Sequence, residues 1–200
     1  MKQLPTNVTR LAALLGAGLM ASVCMADNGP RYTYGEVGYT RLDIEDFDAD
    51  GDMLGIGGSM AIADQFHIFA SYDDGEVDPD FGPEIDITLL EVGGGINYGI
   101  SDTVDLVGRL SWVSAELDAG GFGDVDDDGL GLFGGLRAMM NLQLELNGGI
   151  GYTDIEDNDE ASLDIGAVYN FTETFAVTAD ASFGDDISSY GIGLRMYFDL

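Results

Sequence analysis

From about residue 30 onward, acidic, glycine-rich stretches alternate with segments in which apolar side chains occupy every second position. A period of two marks extended chain, because successive side chains of a strand point to opposite faces. Leu142, Leu144, Leu146, Ile150 and Tyr152 share one face, against Gln143, Glu145, Asn147, Gly149, Gly151 and Thr153 on the other. Leu54, Ile56, Met60 and Ile62 oppose Gly55, Gly57, Ser59 and Ala61. Leu90, Val92, Ile96 and Tyr98 oppose Glu91, Gly93, Gly95 and Asn97, and Val104, Leu106, Leu110 and Trp112 oppose Asp105, Arg109 and Ser111. Tyr190, Ile192, Leu194, Met196, Phe198 and Leu200 share the face of the last such segment. The pattern predicts about ten strands, roughly over 32–42, 52–63, 66–74, 85–98, 103–117, 129–140, 142–153, 161–171, 175–184 and 189–199.

The joins alternate in character. Asp64-Gln65, Gly99 to Asp102, Asn141 and Thr172-Glu173-Thr174 are short; Asp43 to Gly51, Gly75 to Glu84, Asp118 to Asp128, Asp154 to Glu160 and Asp185 to Ser188 are longer and acidic. Tilted membrane strands need about 9–11 residues, and barrels of the outer membrane carry short turns at one rim and long loops at the other. The polar faces hold Gly, Ala, Ser and a few charges, which suits a cramped lumen better than a soluble exterior. Apolar faces end in aromatics: Tyr32, Tyr72, Tyr98, Trp112, Tyr152, Tyr169, Phe171, Phe175, Phe183 and Phe198, expected as interfacial girdles. The fold class expected is all-β, a closed antiparallel up-and-down transmembrane β-barrel of about ten strands, with eight as the alternative. A secreted soluble β-protein is the competing reading.

The first 26 residues read differently. Lys2 and Arg10 precede an apolar run from Leu11 to Met25, and Cys24-Met25-Ala26 places small residues where a signal peptidase reads. The expectation is a signal peptide over 1–26, with the barrel domain over 27–200. Acylation of Cys24 as a lipoprotein is disfavoured by Ala21-Ser22-Val23, a poor lipobox. Residues 27–200 hold no cysteine and no lysine. A disulfide, a thiolate metal site and a cysteine nucleophile are therefore excluded from that span. All 37 acidic residues fall in it against five arginines, Arg31, Arg41, Arg109, Arg137 and Arg195, a net charge of −32. Such a balance disfavours nucleic acid as a partner, since phosphate binding needs Lys and Arg.

The last strand, Gly193-Leu194-Arg195-Met196-Tyr197-Phe198, completes a pattern that resembles the small outer-membrane barrel proteins related to OmpX and the OmpA membrane domain. The resemblance spans about residues 30–200. It implies location in the bacterial outer membrane among lipid and lipopolysaccharide, as a monomer. Gly193, Met196 and Phe198 match a Gly-x-x-apolar-x-apolar terminal signal, which in that family implies assembly by the barrel-insertion machinery. Two features depart from the family: Asp199-Leu200 follow the terminal aromatic, and its named members have eight strands rather than ten.

Small barrels have interiors filled by side chains, and parity points Glu36, Glu91, Asp105, Arg109, Arg137, Glu145, Asp164, Asp180 and Arg195 inward. A turn centred on Asn141 sets Arg137 against Glu145, and one centred on Ile100 sets Glu91 against Arg109. Such lumen ion pairs read first as a packed plug and second as a gated path, because an unpaired buried ion costs several kcal/mol. His67, the only histidine, falls beside the short turn Asp64-Gln65, with Ser71 and Asp73 further along its face. It reads as an ordinary interfacial or lumen histidine rather than a catalytic base.

Asp46-Phe47-Asp48-Ala49-Asp50-Gly51 and Asp124-Val125-Asp126-Asp127-Asp128-Gly129 both read D-x-D-x-D-G. In a loop, alternate aspartates can turn several oxygens onto one hard cation. Neither is an EF-hand, since Gly57 and Gly135 stand where the twelfth-position Glu belongs. The expectation is no cofactor beyond weak calcium binding. Function is then expected to be a structural or surface-interaction role through acidic outer loops, without enzymatic activity. A small-solute, porin-like channel is the alternative, and a barrel-embedded lipid hydrolase or protease a third class.

Overall fold

The computed structural model describes residues 29–44, 49–79, 84–120, 124–155 and 158–198. The signal segment 1–26 lies outside them. Ten strands run through them: β1 (Tyr34–Ile44), β2 (Ala49–Ala63), β3 (Phe66–Pro79), β4 (Ile85–Ser101), β5 (Val104–Asp118), β6 (Asp124–Met139), β7 (Leu144–Ile155), β8 (Asn158–Asn170), β9 (Phe175–Phe183) and β10 (Ile187–Tyr197). Each pairs antiparallel with its neighbours in sequence, and β1 pairs with β10 from Tyr34↔Tyr197 to Ile44↔Ile187, closing the barrel. The strand count is ten, not the alternative of eight. Closure satisfies every ladder and removes sheet edges, a requirement in a medium without water.

The short turns have local causes. Asn141 Oδ1 accepts from the backbone N–H of Gln143 at 2.9 Å and of Leu144 at 3.0 Å. Thr172 Oγ1 accepts from Phe175 N–H at 2.9 Å and Thr174 N–H at 3.2 Å. These side chains substitute for the missing ladder partner, which is why Asn and Thr reverse a chain well. A register shift between Ala61 and Ala63 ends the β2–β3 hairpin, and one between Gly99 and Ser101 moves the β4–β5 turn to Asp102-Thr103.

The two faces are as the alternation dictates. Leu54 is 68% exposed, Ile150 65% and Ile192 63%, whereas Glu145 is fully buried and Arg195 1% exposed. Exposure of so many large apolar side chains belongs to a lipid-facing surface. Tyr32 corrects the girdle expectation: it is 4% exposed and turned into the lumen. It keeps the inward parity of Tyr34 and Glu36, and parity outranks the tendency of aromatics to sit at interfaces.

The joins expected as long acidic loops are shorter, because the strands continue into them. Ile44 pairs with Ala49, β3 runs to Pro79, β6 starts at Asp124 and Ile155 pairs with Asn158. What changes along each strand is polarity, not conformation. On β1 the outward face passes from Val37 and Tyr39 to Arg41 and Asp43, and the inward face from Glu36 to Leu42 and Ile44. The same exchange on other strands gathers Leu42, Ile44, Met53, Val77, Ile87, Leu89, Ala115, Leu117, Val125 and Ile187 into one apolar cluster inside the loop end. The barrel is thus polar inside within the bilayer and apolar inside beyond it.

Candidate functional site

Charge is concentrated in the lumen and on the outside of the loop end. At the turn end, Arg137 Nε donates to Glu145 Oε1 at 2.6 Å, and a second guanidinium nitrogen donates to the same oxygen. The side chains are 3% and 0% exposed. The pair is diagonal rather than directly opposed: the turn centres on Leu142, so Arg137 faces Asn147 across β6–β7 and Asp105 across β5–β6. Arg195 Nε donates to Glu36 Oε2 at 2.5 Å, and these two are direct partners at the β1–β10 seam. Arg195 also stacks over the Tyr34 ring at 4.0 Å. The guanidinium face offers little hydration to lose, so aromatic stacking suits a dry lumen.

The Glu91–Arg109 facing expected from a turn centred on Ile100 does not form. The bulge at Gly99/Ser101 and the turn at Asp102-Thr103 shift the pairing by four residues. Arg109 then faces Gly95, and Glu91 faces Val113. Arg109 instead lies over the Phe69 ring at 4.6 Å and within 5.8 Å of the Phe133 centroid. Asp164 accepts from Ser182 at 2.5 Å and from Ser162 at 3.3 Å. His67 is 1% exposed and stacks on Tyr32 with centroids 4.5 Å apart. It sits at the turn end, while Ser71 and Asp73 lie further along β3, beside a mid-lumen cavity that His67 does not line.

Outside the loop end, side chains form an acidic collar. Asp50, Asp52, Asp74, Glu76, Asp86, Glu116, Asp126, Asp128, Asp154 and Asp159 all point outward and are exposed. Arg41 donates to Asp50 at 2.9 Å, and the Tyr39 hydroxyl donates to Asp52. The D-x-D-x-D-G stretches are not ion-wrapping loops where they are described. Asp124–Asp128 belongs to β6, where Asp126 and Asp128 point out and Asp127 points in, and Asp50 belongs to β2. Extended chain spaces alternate side chains by about 6–7 Å, which turns them away from a single ion. Asp46 and Asp48 lie outside the described residues, and of Asp124 only the backbone is described. The close approach occurs elsewhere: Glu76, Glu84 and Asp86 bring one carboxylate oxygen each within 4.8 Å of one another. The Glu84 carboxyl is held above its ordinary value by a hydrogen bond to Glu76 and by the charges of Glu76 and Asp78.

Of the terminal signal residues, Met196 and Phe198 face outward and Gly193 inward. Sequence reasoning named Glu36 and Arg195 as inward but not as a pair, since no turn joins β1 to β10. Parity alone carried the signal for the apolar cluster: Leu42 and Ile44 continue the inward register of Glu36.

Similarity to known proteins agrees with this geometry. The outer membrane channel from Pseudomonas putida F1 aligns with 88% of this chain and 100% of its own, at 10% identity and a TM-score of 0.54. The transport unit of the autotransporter AIDA-I from Escherichia coli aligns over 100% of both chains, at 10% identity and a TM-score of 0.52. A KdgM porin in complex with disordered oligogalacturonate aligns with 83% of this chain and 99% of its own, at 8% identity and a TM-score of 0.45. No curated protein matches the sequence. The profile of the outer membrane protein beta-barrel domain matches residues 10–171. The chain belongs to that family, and it is an integral β-barrel protein of the bacterial outer membrane.

Proposed function

We propose that this barrel does not conduct and has no enzymatic activity, and that it acts at the cell surface through its acidic collar. The observation that carries this reading is the apolar cluster inside the loop end, with Ile44, Ala115 and Leu117 fully buried. A continuous aqueous path has to wet that cluster, and displacing packed aliphatic side chains with water is unfavourable in proportion to their area. Below it, Arg137, Glu145, Arg195, Tyr32 and Tyr197 fill the turn end. Planar-bilayer recording of the refolded protein is expected to show no steady conductance. Reproducible single-channel steps would overturn the reading in favour of a small-solute channel.

The collar's partners are the phosphate groups of lipopolysaccharide, met through divalent cations that bridge two anionic surfaces. Like charges crowded on one rim repel, and salt screens them only beyond about 8–10 Å. With exposed, incomplete ligand sets, calcium affinity belongs in the range of about 10⁻⁴–10⁻³ M. Millimolar calcium should therefore raise the melting temperature, and the rise should shrink in the Glu76→Gln, Glu84→Gln, Asp86→Asn variant. An equal rise with sodium at matched ionic strength would reduce the effect to screening. Monomeric insertion by the barrel-insertion machinery, using Gly193, Met196 and Phe198, is part of the same proposal.

A further inference from the structure

Midway along the lumen, between the apolar cluster and the turn-end aromatics, lies a cavity of about 100 Å³. Four carboxylates line it: Glu36, Asp73, Glu91 and Asp180. Against them stand two guanidinium groups, Arg109 on the cavity wall and Arg195 bound to Glu36. Two negative charges are left over. Asp73 is within electrostatic reach of both Asp180 and Glu36, so the charges are felt together.

Three buried oxygens make this cavity more than an acidic patch. Glu91 is 6% exposed and Thr178 4% exposed. Glu91 Oε1, Thr178 Oγ1 and Ser71 Oγ have no hydrogen-bond partner among the described residues, and all three side chains line the cavity. Buried polar atoms are ordinarily satisfied, and the Glu91 oxygen can only accept while the two hydroxyls can accept as well, so together they call for a positive or donating occupant. Glycines keep the space: a Cβ at Gly55 would collide with the Asp73 carboxylate, and one at Gly191 with that of Asp180.

We infer that this cavity binds one hard divalent cation, calcium or magnesium, held by Asp73, Glu91 and Asp180. Every candidate donor is oxygen, the ligand type these ions take. A divalent ion matches the two excess charges, which otherwise carry the desolvation cost of unpaired ions. Among the described residues, only Glu76, Glu84 and Asp86 bring three carboxylates within 4.8 Å. The luminal ion therefore keeps part of its water shell, for which the volume is ample. With both ends of the lumen filled, the ion is occluded. That last property rests on the closed-lumen reading, whereas binding itself does not.

The experiment separates the two. Protein refolded in detergent with calcium or magnesium chloride is assayed by equilibrium dialysis for binding, and by metal analysis after passage through chelator for occlusion. The Glu76→Gln, Glu84→Gln, Asp86→Asn background removes the collar's close carboxylate trio, and heat-modifiable gel mobility confirms folding. One equivalent should remain bound in that background and be lost in Asp73→Asn, Asp180→Asn. Glu91→Gln alone, a milder change, should weaken binding at least tenfold. A folded barrel that binds no divalent ion, its charge neutralised by protons, would overturn the inference. So would an equivalent that survives both luminal variants. Binding at equilibrium but loss to chelator would retain the site and refute the closed lumen.

Discussion

Replacing Arg137 by Met is expected to destabilise the barrel by about 3–5 kcal/mol, the cost of leaving a buried charge unpaired. Glu145 is fully buried and receives two of its hydrogen bonds from this guanidinium. Asp105 stands opposite Arg137 on the neighbouring strand, so the arginine answers carboxylates on both sides. That asymmetry orders the variants. Glu145→Gln leaves Arg137 with Asp105 and should cost less than Arg137→Met, which strands two acids at once. The double variant should be more stable than Arg137→Met alone, because Glu145 is then no longer a lone buried anion. Urea unfolding in lipid vesicles, read as a double-mutant cycle, measures this. A coupling energy near zero would show that the contact contributes nothing to stability.

The second large effect belongs to the lipid face. Leu110 is 55% exposed and lies between Leu106, near the turn end, and Trp112, beyond which β5 presents Ser114 and Glu116. It is thus near the middle of the apolar band. Leu110→Arg should cost about 2–4 kcal/mol, the charge of an arginine at the bilayer midplane, falling to about 0–1 near an interface. Leu106→Arg, closer to the turn end, should cost less than Leu110→Arg. Leu144, the first residue of β7, should tolerate arginine better than either. Equal costs at Leu110 and Leu144 would contradict a bilayer centred on this band.

Fold and faces were legible because a barrel strand has one rule, alternation, and a one-residue slip would reverse every side chain. Ten segments were countable on that rule alone. Strand ends were not, because the rule was tied to hydrophobicity. Where Tyr39 gives way to Arg41, and Tyr72 to Asp74, the apolar residue moves to the other face and the segment looks like a loop. Pairing across a turn was legible only as far as the turn was. Asn141 marked its hairpin to within one residue, enough to bring Arg137 within reach of Glu145. A bulge at Gly99/Ser101 leaves no comparable mark, and Glu91 and Arg109 were displaced from each other by it. The seam between the first and last strands is non-local and carries no turn, so the Glu36–Arg195 contact has no local signature at all.

The exchange of polarity along each strand also fixes how deep the molecule floats. On β1 the line falls between Tyr39 and Arg41, on β2 between Leu54 and Asp52, on β3 between Tyr72 and Asp74, and on β7 between Tyr152 and Asp154. Sinking by one pair of residues would drag a ring of carboxylates into hydrocarbon; rising by one would lift tyrosines and leucines into water. Both displacements are opposed from all sides of the cylinder at once, so the barrel has a waterline rather than a range of depths. A thinner or thicker bilayer must deform to meet it, and the lipid, not the protein, supplies the adjustment.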